Sequence, residues 1–404
     1  MKTLEFLYQL SEENLKEELE KVFFERFGKS EQNIVFAVSP ARVNLIGEHI
    51  DYNGGMVFPT AINIYMYILL RPRKDEKIIY DALLFDKQYE FSVNDKFVFN
   101  SKNSYANYLN GMLKFLKEAG LKLNTGFEVL IFSKIPQASG VSSSAALEIG
   151  FGVAVSEAFN FKIDGITLAK IGQKVENEFL NLKSGIMDQF IIAMSKADTA
   201  MLLNTANLEH EYIPFSFSDY KLIVMNSCKP RELVASKYNE RKTECEQGLS
   251  TLQKKIKINH LCDLEIKDYK KYENYIISEC GEIIHKRITH CITENNRVKM
   301  SVKALKENDL KTFCELMKQS HLSLKDNYEV TGLELDTLYF AALKQTGCLG
   351  ARMTGAGFGG CAIAIVQADS YKQFCKNVNE EYKNKTGLSA GFYDCMPSDG
   401  ARVI

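Results

Sequence analysis

The chain lacks most of the features that would assign it at a glance. No Cys-x-x-Cys pair occurs. The ten cysteines are scattered, with Cys280 and Cys291 the closest two, so a structural zinc site is not expected. Dispersed thiols in a chain this long suit a reducing cytosol rather than a disulfide scaffold. There is no basic block, and the net charge is −1, which argues against a nucleic-acid binder or a polybasic membrane anchor. The longest apolar run, Ile62 to Leu70, is about half the length of a bilayer span and reads as a buried strand. The opening segment turns acidic at Ser11-Glu-Glu and shows neither the apolar core nor the cleavage site of a signal peptide.

What is present is ordinary for a globular protein. Of 404 residues, 46% are hydrophobic and 25% charged, enough for a large core and two domains. Strand-like and helical stretches are mixed. Ser11 to Phe27 has helical periodicity, with Gly28 as its stop, and Ile34 to Val38 reads as a short strand. Asp164 to Leu182 reads as one helix, and Ser278 to Arg297 and Val298 to Asn308 as two. The polar stretch Ala206 to Asp219 suggests a division into residues 1–210 and 211–404.

Four stretches carry candidate chemistry. Ile135 to Leu147 places Ser139, Gly140, Val141, Ser142, Ser143 and Ser144 between an apolar strand, Phe127 to Phe132, and an Ala-rich helix. A small-residue loop running into a helix N-terminus offers unpaired N–H groups and partial positive charge to an anion. A serine N-cap on a core helix is the plainer alternative. No Gly-Lys-Ser/Thr follows Gly140, so this is not a Walker A loop. Ser39 to Gly55 packs Arg42, Glu48, His49 and Asp51 among turn residues. Such a set suits directional hydrogen bonds to a small polyol, against the alternative of a solvated turn. In Lys183 to Phe190, Asp188 stands between Met187 and Phe190, so it is paired, functional or a helix cap. Gly350 to Val366 is a Gly-rich turn entering a strand: either a tight turn or a second wall against the phosphate loop. A dinucleotide fingerprint would need a helix there. Tyr105 and Tyr108 read first as core, or as a flat surface for a base, and His285, His290 and His321 lie at no useful ligand spacing.

Taken in order, these segments resemble the galactokinases of the GHMP kinase superfamily. Arg42-Val-Asn-Leu-Ile-Gly-Glu-His-Ile-Asp-Tyr-Asn-Gly-Gly55 resembles the galactokinase signature, Gly140-Val-Ser-Ser-Ser-Ala-Ala146 the phosphate loop, and Met353 to Cys361 the third motif. Ser184-Gly-Ile-Met-Asp-Gln-Phe190 resembles the catalytic segment, and further similarity covers Ala235 to Arg241 and Glu315 to Val330. The resemblance implies an α+β fold of two domains, the first like ribosomal protein S5 domain 2 and the second ferredoxin-like. Asp188 would be the catalytic base, with Arg42 beside it stabilising the transferring phosphoryl group. Glu48, His49, Ile50, Asp51, Gly185 and Tyr238 would meet the sugar. Ala138 to Ser144 would embrace the ATP phosphates, Ser144 and Glu176 would hold Mg²⁺, and Tyr105 and Tyr108 would lie near the adenine.

Five positions depart from the usual pattern: Ala41, Ile50, Tyr105, Ala138 and Ser184, none of which removes an ionisable group. The expected activity is ATP-dependent phosphorylation of galactose at C1. The alternatives are a kinase for a related sugar such as N-acetylgalactosamine or arabinose, and an inactive regulator that binds galactose and ATP. Partners would be the sugar and ATP, with no nucleic acid and no membrane, for a cytoplasmic monomer or weak homo-oligomer.

Overall fold

A computed structural model describes residues 4–85, 87–137, 139–230 and 234–404. Ala138 therefore lies outside the described residues. The strands in chain order are β1 Val35–Asn44, β2 Met56–Val57, β3 Pro59–Pro72, β4 Lys77–Ala82, β5 Tyr89–Ser92, β6 Phe127–Ser133 and β7 Thr199–Asn204. They continue with β8 His210–Pro214, β9 Tyr220–Asn226, β10 Cys348–Thr354, β11 Cys361–Gln367, β12 Gly391–Cys395 and β13 Arg402–Val403.

The first sheet has the order β13-β1-β3-β6-β4-β5, with β4 and β6 its one parallel pair. Strand β3 is buried on both faces, as its near-continuous apolar sequence requires. Tyr65, Tyr67 and Leu69 point to one side, where helix Glu12–Phe27 lays down Leu15, Leu19 and Phe23. The alternate residues Met66, Ile68 and Leu70 join the main core on the other side. That core includes helices Ala106–Glu118 and Ser143–Ala158. The second sheet is antiparallel throughout, with the order β10-β11-β9-β12. Helices Leu310–Ser323, Gly332–Leu343 and Tyr371–Thr386 add their buried residues to the core there.

Several sequence expectations change. Strand β1 does not stop at Val38. The pairing register shifts between Pro40 and Ala41, and the irregularity lets a proline sit inside the strand, which then continues to Asn44. Arg42 is thereby fixed on a rigid element. The expected helix Asp164 to Leu182 is α-helical only over Gly165–Lys174 and then widens into a π-turn, Val175–Phe179, which carries Glu176. The two helices expected on either side of residue 297 are one, Glu273–Lys306, whose break falls at Gly281 with φ 82°. Backbone pairing runs across the division at 210/211, including a bridge between Ile62 and Pro397. Strand β8 begins at His210 and pairs with β7, and β13 closes the edge of the first sheet beside β1.

Candidate active site

The end of β1, the loop after it and the start of helix Met187–Met194 converge on a cavity of about 150 Å³. Arg42, Glu48, His49, Asp51, Glu176, Gly185, Asp188 and Tyr238 all line it, with Ser184, Met187, Gly355 and Ala356. Arg42 is the hub. Its Nε and Nη2 donate to the two carboxylate oxygens of Asp188, each at 2.6 Å, and its Nη1 donates to the Gly140 carbonyl at 2.9 Å. The Ser142 hydroxyl also donates to Asp188. One guanidinium and one carboxylate thus tie the phosphate loop to the first turn of helix Met187–Met194.

The sugar-type residues are held from behind. Glu48 is buried; it accepts from Asn44 Nδ2 at 2.6 Å and from the Gly355 N–H. Burial pushes its carboxyl up, and the charges of Arg352 and Arg42 oppose that shift. His49 is held at φ 62°. Its ring nitrogens contact the Tyr52 hydroxyl at 2.8 Å and the Ala356 carbonyl at 3.2 Å. Burial, then the neighbouring His290, lowers it to about 3, so the ring is neutral at pH 7. Asp51 is raised to about 7, first by burial and then by the charges of Asp188 and Glu48. Tyr238 packs its ring 5.5 Å from His49 and 5.4 Å from Tyr52. Gly185 admits no side chain: a Cβ there would lie 1.8 Å from Asp51 Oδ2. Ile50 is the exception among the expected sugar contacts. Its side chain is fully buried, packed against Gly55, and does not line the cavity.

The serine-cap reading of the phosphate loop fails at Ser142. That residue precedes helix Ser143–Ala158 in the left-handed region, φ 65°, and makes no side-chain cap. Its hydroxyl goes to Asp188 instead. Ser139 donates to the Pro136 carbonyl at 2.7 Å and shapes the loop, and Val141 is buried, its carbonyl accepting from the Arg42 N–H at 3.2 Å. Ser144 donates to Glu176 Oε1 at 3.2 Å, while Ser143 is half-buried at the first helical position. Gly355, at φ +83°, forms the opposing wall: a Cβ on it would stand 2.5 Å from the Gly140 carbonyl oxygen. Tyr105 and Tyr108 do not line the cavity. Tyr105 donates to the carbonyls of Tyr80 and Lys87 and stacks on Phe85 at 5.1 Å. Tyr108 is half-buried, and burial followed by the charges of Glu176 and Glu148 raises its hydroxyl pKa.

Three family models match the chain: the galactokinase galactose-binding signature over residues 21–72, the GHMP kinase N-terminal domain over 107–196, and the GHMP kinase C-terminal domain over 301–384. A galactokinase of Staphylococcus carnosus is 45% identical over 372 residues, covering 92% of this chain and 95% of its own. One from Clostridium perfringens strain SM101 is 45% identical over 384 residues, covering 95% and 98%. The chain belongs to the galactokinase family. The crystal structure of Lactococcus lactis galactokinase complexed with galactose superposes with a TM-score of 0.91 at 41% identity, covering 96% of this chain and all of that one. A Methanococcus jannaschii mevalonate kinase shares the fold alone, with a TM-score of 0.65 at 23% identity. The expected α+β fold of the GHMP kinases is therefore the fold found.

Family membership leaves untouched a support layer that sequence reasoning missed. Helix Glu273–Lys306 clamps the sugar loop through consecutive turns. His290 Nε2 meets the Glu48 carbonyl at 3.0 Å, Glu294 Oε1 accepts from the Gly47 N–H at 2.9 Å, and Asn295 Oδ1 accepts from the Met56 N–H at 2.8 Å. Buried Arg352 donates to the Asn44 carbonyl at 2.7 Å and lies 3.8 Å from Glu48. The available signal was a Glu four residues after a His in a helix whose other buried residues include Ile288, Cys291, Ile292 and Val298. Among the described residues no group of three or more His, Cys, Asp and Glu is placed to hold a metal, and no helix is long and apolar enough to cross a membrane.

Proposed function

We propose that this chain is an ATP-dependent galactokinase, transferring the γ-phosphoryl group to the C1 hydroxyl of α-D-galactose to give galactose 1-phosphate and ADP. The observation that carries this reading is the Arg42–Asp188–Ser142 cluster, which sits where a sugar pocket meets a phosphate loop. Phosphoryl transfer asks the protein for alignment and charge neutralisation rather than covalent chemistry. Asp188 opens toward the cavity with a side chain 29% exposed, while Arg42 and Ser142 fix its plane. A carboxylate has about four lone-pair sites, and these contacts leave it one for a sugar hydroxyl. The C1 oxygen attacks phosphorus, its proton passes to Asp188, and the bond to ADP breaks. Arg42 and the loop N–H groups hold the developing charge on the phosphoryl oxygens.

Glu48, Asp51 and the ring of His49 bind and orient the sugar, with Tyr238 as an aromatic wall. Ser144 and Glu176 fit Mg²⁺. Both offer hard oxygens, and they stand side by side, with the Ser144 hydroxyl 3.2 Å from Oε1 of the buried Glu176 carboxylate. The ion, when bound, would neutralise phosphate charge and align the γ-phosphoryl group. Ten free cysteines suit a reducing cytoplasm.

The test is a sugar panel with ATP, reading ADP release and the position phosphorylated. Galactose should be converted to galactose 1-phosphate with the highest kcat/KM. Faster turnover of N-acetylgalactosamine or arabinose would assign a related sugar kinase. Tight binding of galactose and ATP without product would assign a regulator.

A further inference from the structure

A chain of hydrogen bonds runs from the sugar pocket into the core. His49 Nε2 lies 3.2 Å from the Ala356 carbonyl, and Nδ1 lies 2.8 Å from the Tyr52 hydroxyl. The Tyr52 hydroxyl is 3.0 Å from that of Tyr328, which in turn lies 3.0 Å from Cys245 Sγ. Cys245 Sγ stands 3.9 Å from Cys291 Sγ. Tyr328, Cys245 and Cys291 are each at most 1% exposed, so no solvent joins this end of the chain.

Donor counting fixes its direction. A carbonyl oxygen only accepts, so Nε2 carries the proton. The ring is neutral, so Nδ1 is a bare acceptor, and Tyr52 must donate to it. Tyr52 has one proton, so its oxygen accepts from Tyr328. Tyr328 has then spent its own proton and accepts from the Cys245 thiol. The reverse direction would aim two lone pairs at each other between Nε2 and Ala356. We infer that Cys245, Tyr328 and Tyr52 are positioning residues that fix His49 as its Nε2–H tautomer, with that N–H donated to the Ala356 carbonyl, and so set how the ring stands at the sugar pocket.

Three further contacts make the chain stiff. The Tyr328 ring packs 4.9 Å from His49 and 4.5 Å from His290. Asn53 Nδ2 donates to the His49 carbonyl at 2.9 Å and holds its left-handed backbone. Tyr328 closes a second π-turn, Leu324–Tyr328, which aims its hydroxyl at Tyr52. Neither thiol nor either tyrosine lines the pocket, so their effect on a sugar passes through His49.

The tautomer is testable without any sugar. Histidine ¹⁵N spectra of the intact protein, with the His49 signals assigned by their loss in His49→Gln, should show protonated Nε2 and bare Nδ1 at neutral pH. Protonated Nδ1 overturns the inference whatever the protein phosphorylates. The second measurement rests on the galactokinase reading. Tyr328→Phe should raise the galactose KM roughly five- to tenfold, the worth of a buried hydrogen bond, with kcat and the ATP KM nearly unchanged. Cys245→Ala should move the same way and Cys245→Ser, which restores a donor, should revert it. An unchanged galactose KM in folded Tyr328→Phe, or equal effects of Ala and Ser at Cys245, overturns it too. Absence of any galactose turnover in the wild type would instead sink the function, leaving the tautomer standing on the spectra.

Discussion

Arg42 and Asp188, 146 residues apart in the chain, share two hydrogen bonds of 2.6 Å. A bidentate guanidinium–carboxylate pair fixes both planes at once, which a lysine point charge does not. Asp188→Asn should lower kcat by roughly 10²- to 10⁴-fold, the usual worth of a positioned base. Arg42→Lys should lower kcat by on the order of 10²-fold, with a smaller change in ATP KM. Steady-state kinetics on folded variants check both. Near-normal turnover in Asp188→Asn would remove it as the base, and a pure affinity defect in Arg42→Lys would remove that residue from transition-state stabilisation.

Asp51 and Gly185 meet so closely that any side chain at Gly185 must displace the carboxylate. A Cβ there would lie 1.8 Å from Asp51 Oδ2. Gly185→Ala should weaken galactose binding by roughly tenfold or more, since overpacking of this kind costs 1–3 kcal/mol. ATP binding, proposed for the phosphate-loop wall of the site, should be retained. Titration calorimetry with each ligand separates the two. Equal loss for both ligands would mean that Gly185 serves the fold rather than the sugar.

The parts of this site that the sequence made legible are those whose chemistry is dense over a short stretch. Arg42, Glu48, His49 and Asp51 lie within ten residues, and Asp188 interrupts an apolar run. The rest depends on contacts between distant segments. Nothing local marks Ser142 as a partner of Asp188 rather than a helix cap, because the difference is a left-handed φ set by the packed loop. Helix Glu273–Lys306 read as surrounding structure because His290, Glu294 and Asn295 acquire meaning only against backbone groups some 240 residues earlier. The π-turns that deliver Glu176 and Tyr328 are one-residue adjustments that helical periodicity does not register. The continuation of β1 past Val38 was hidden by Pro40, whose tolerance depends on the register shift beside it.

Asp51 gives the sugar-free protein a pH-dependent liability. Its pKa is about 7 when folded, against an ordinary value of 3.8, because burial first and the charges of Asp188 and Glu48 next disfavour its ionised form. Between these values the folded state binds more protons than the unfolded one. This group's contribution is therefore full below about pH 4 and declines as pH rises to about 7. Asp51→Asn should remove that decline. Denaturant titrations from pH 4.5 to 7.5 should show a wild-type stability that falls more steeply with pH than the variant's. Parallel curves would mean that Asp51 is solvated enough to ionise freely.

Glu294 works in the opposite sense and in a lower window. It is fully buried, which alone would push its carboxyl up, but the charges of Arg297, His290 and Arg352 and the Ser320 hydroxyl hold it at about 2. Its folded pKa lies below the ordinary value of 4.5, so its stabilisation is present above about pH 4.5 and is lost as pH falls toward 2. Glu294→Gln removes the partner of Arg297, whose Nε lies 2.7 Å away, and alters the acceptor of the Gly47 N–H. Breaking a buried pair from one side costs about 3 kcal/mol, and the loss should be measurable by denaturant unfolding at pH 7. The gap between variant and wild type should then narrow below pH 4, where the wild-type carboxylate begins to lose its advantage. The same loop carries Glu48 and His49, so at pH 7 the variant should also raise the galactose KM more than it lowers kcat. A stability gap that stays constant down to pH 2.5 would show that packing, rather than the charge of Glu294, holds the sugar loop in place.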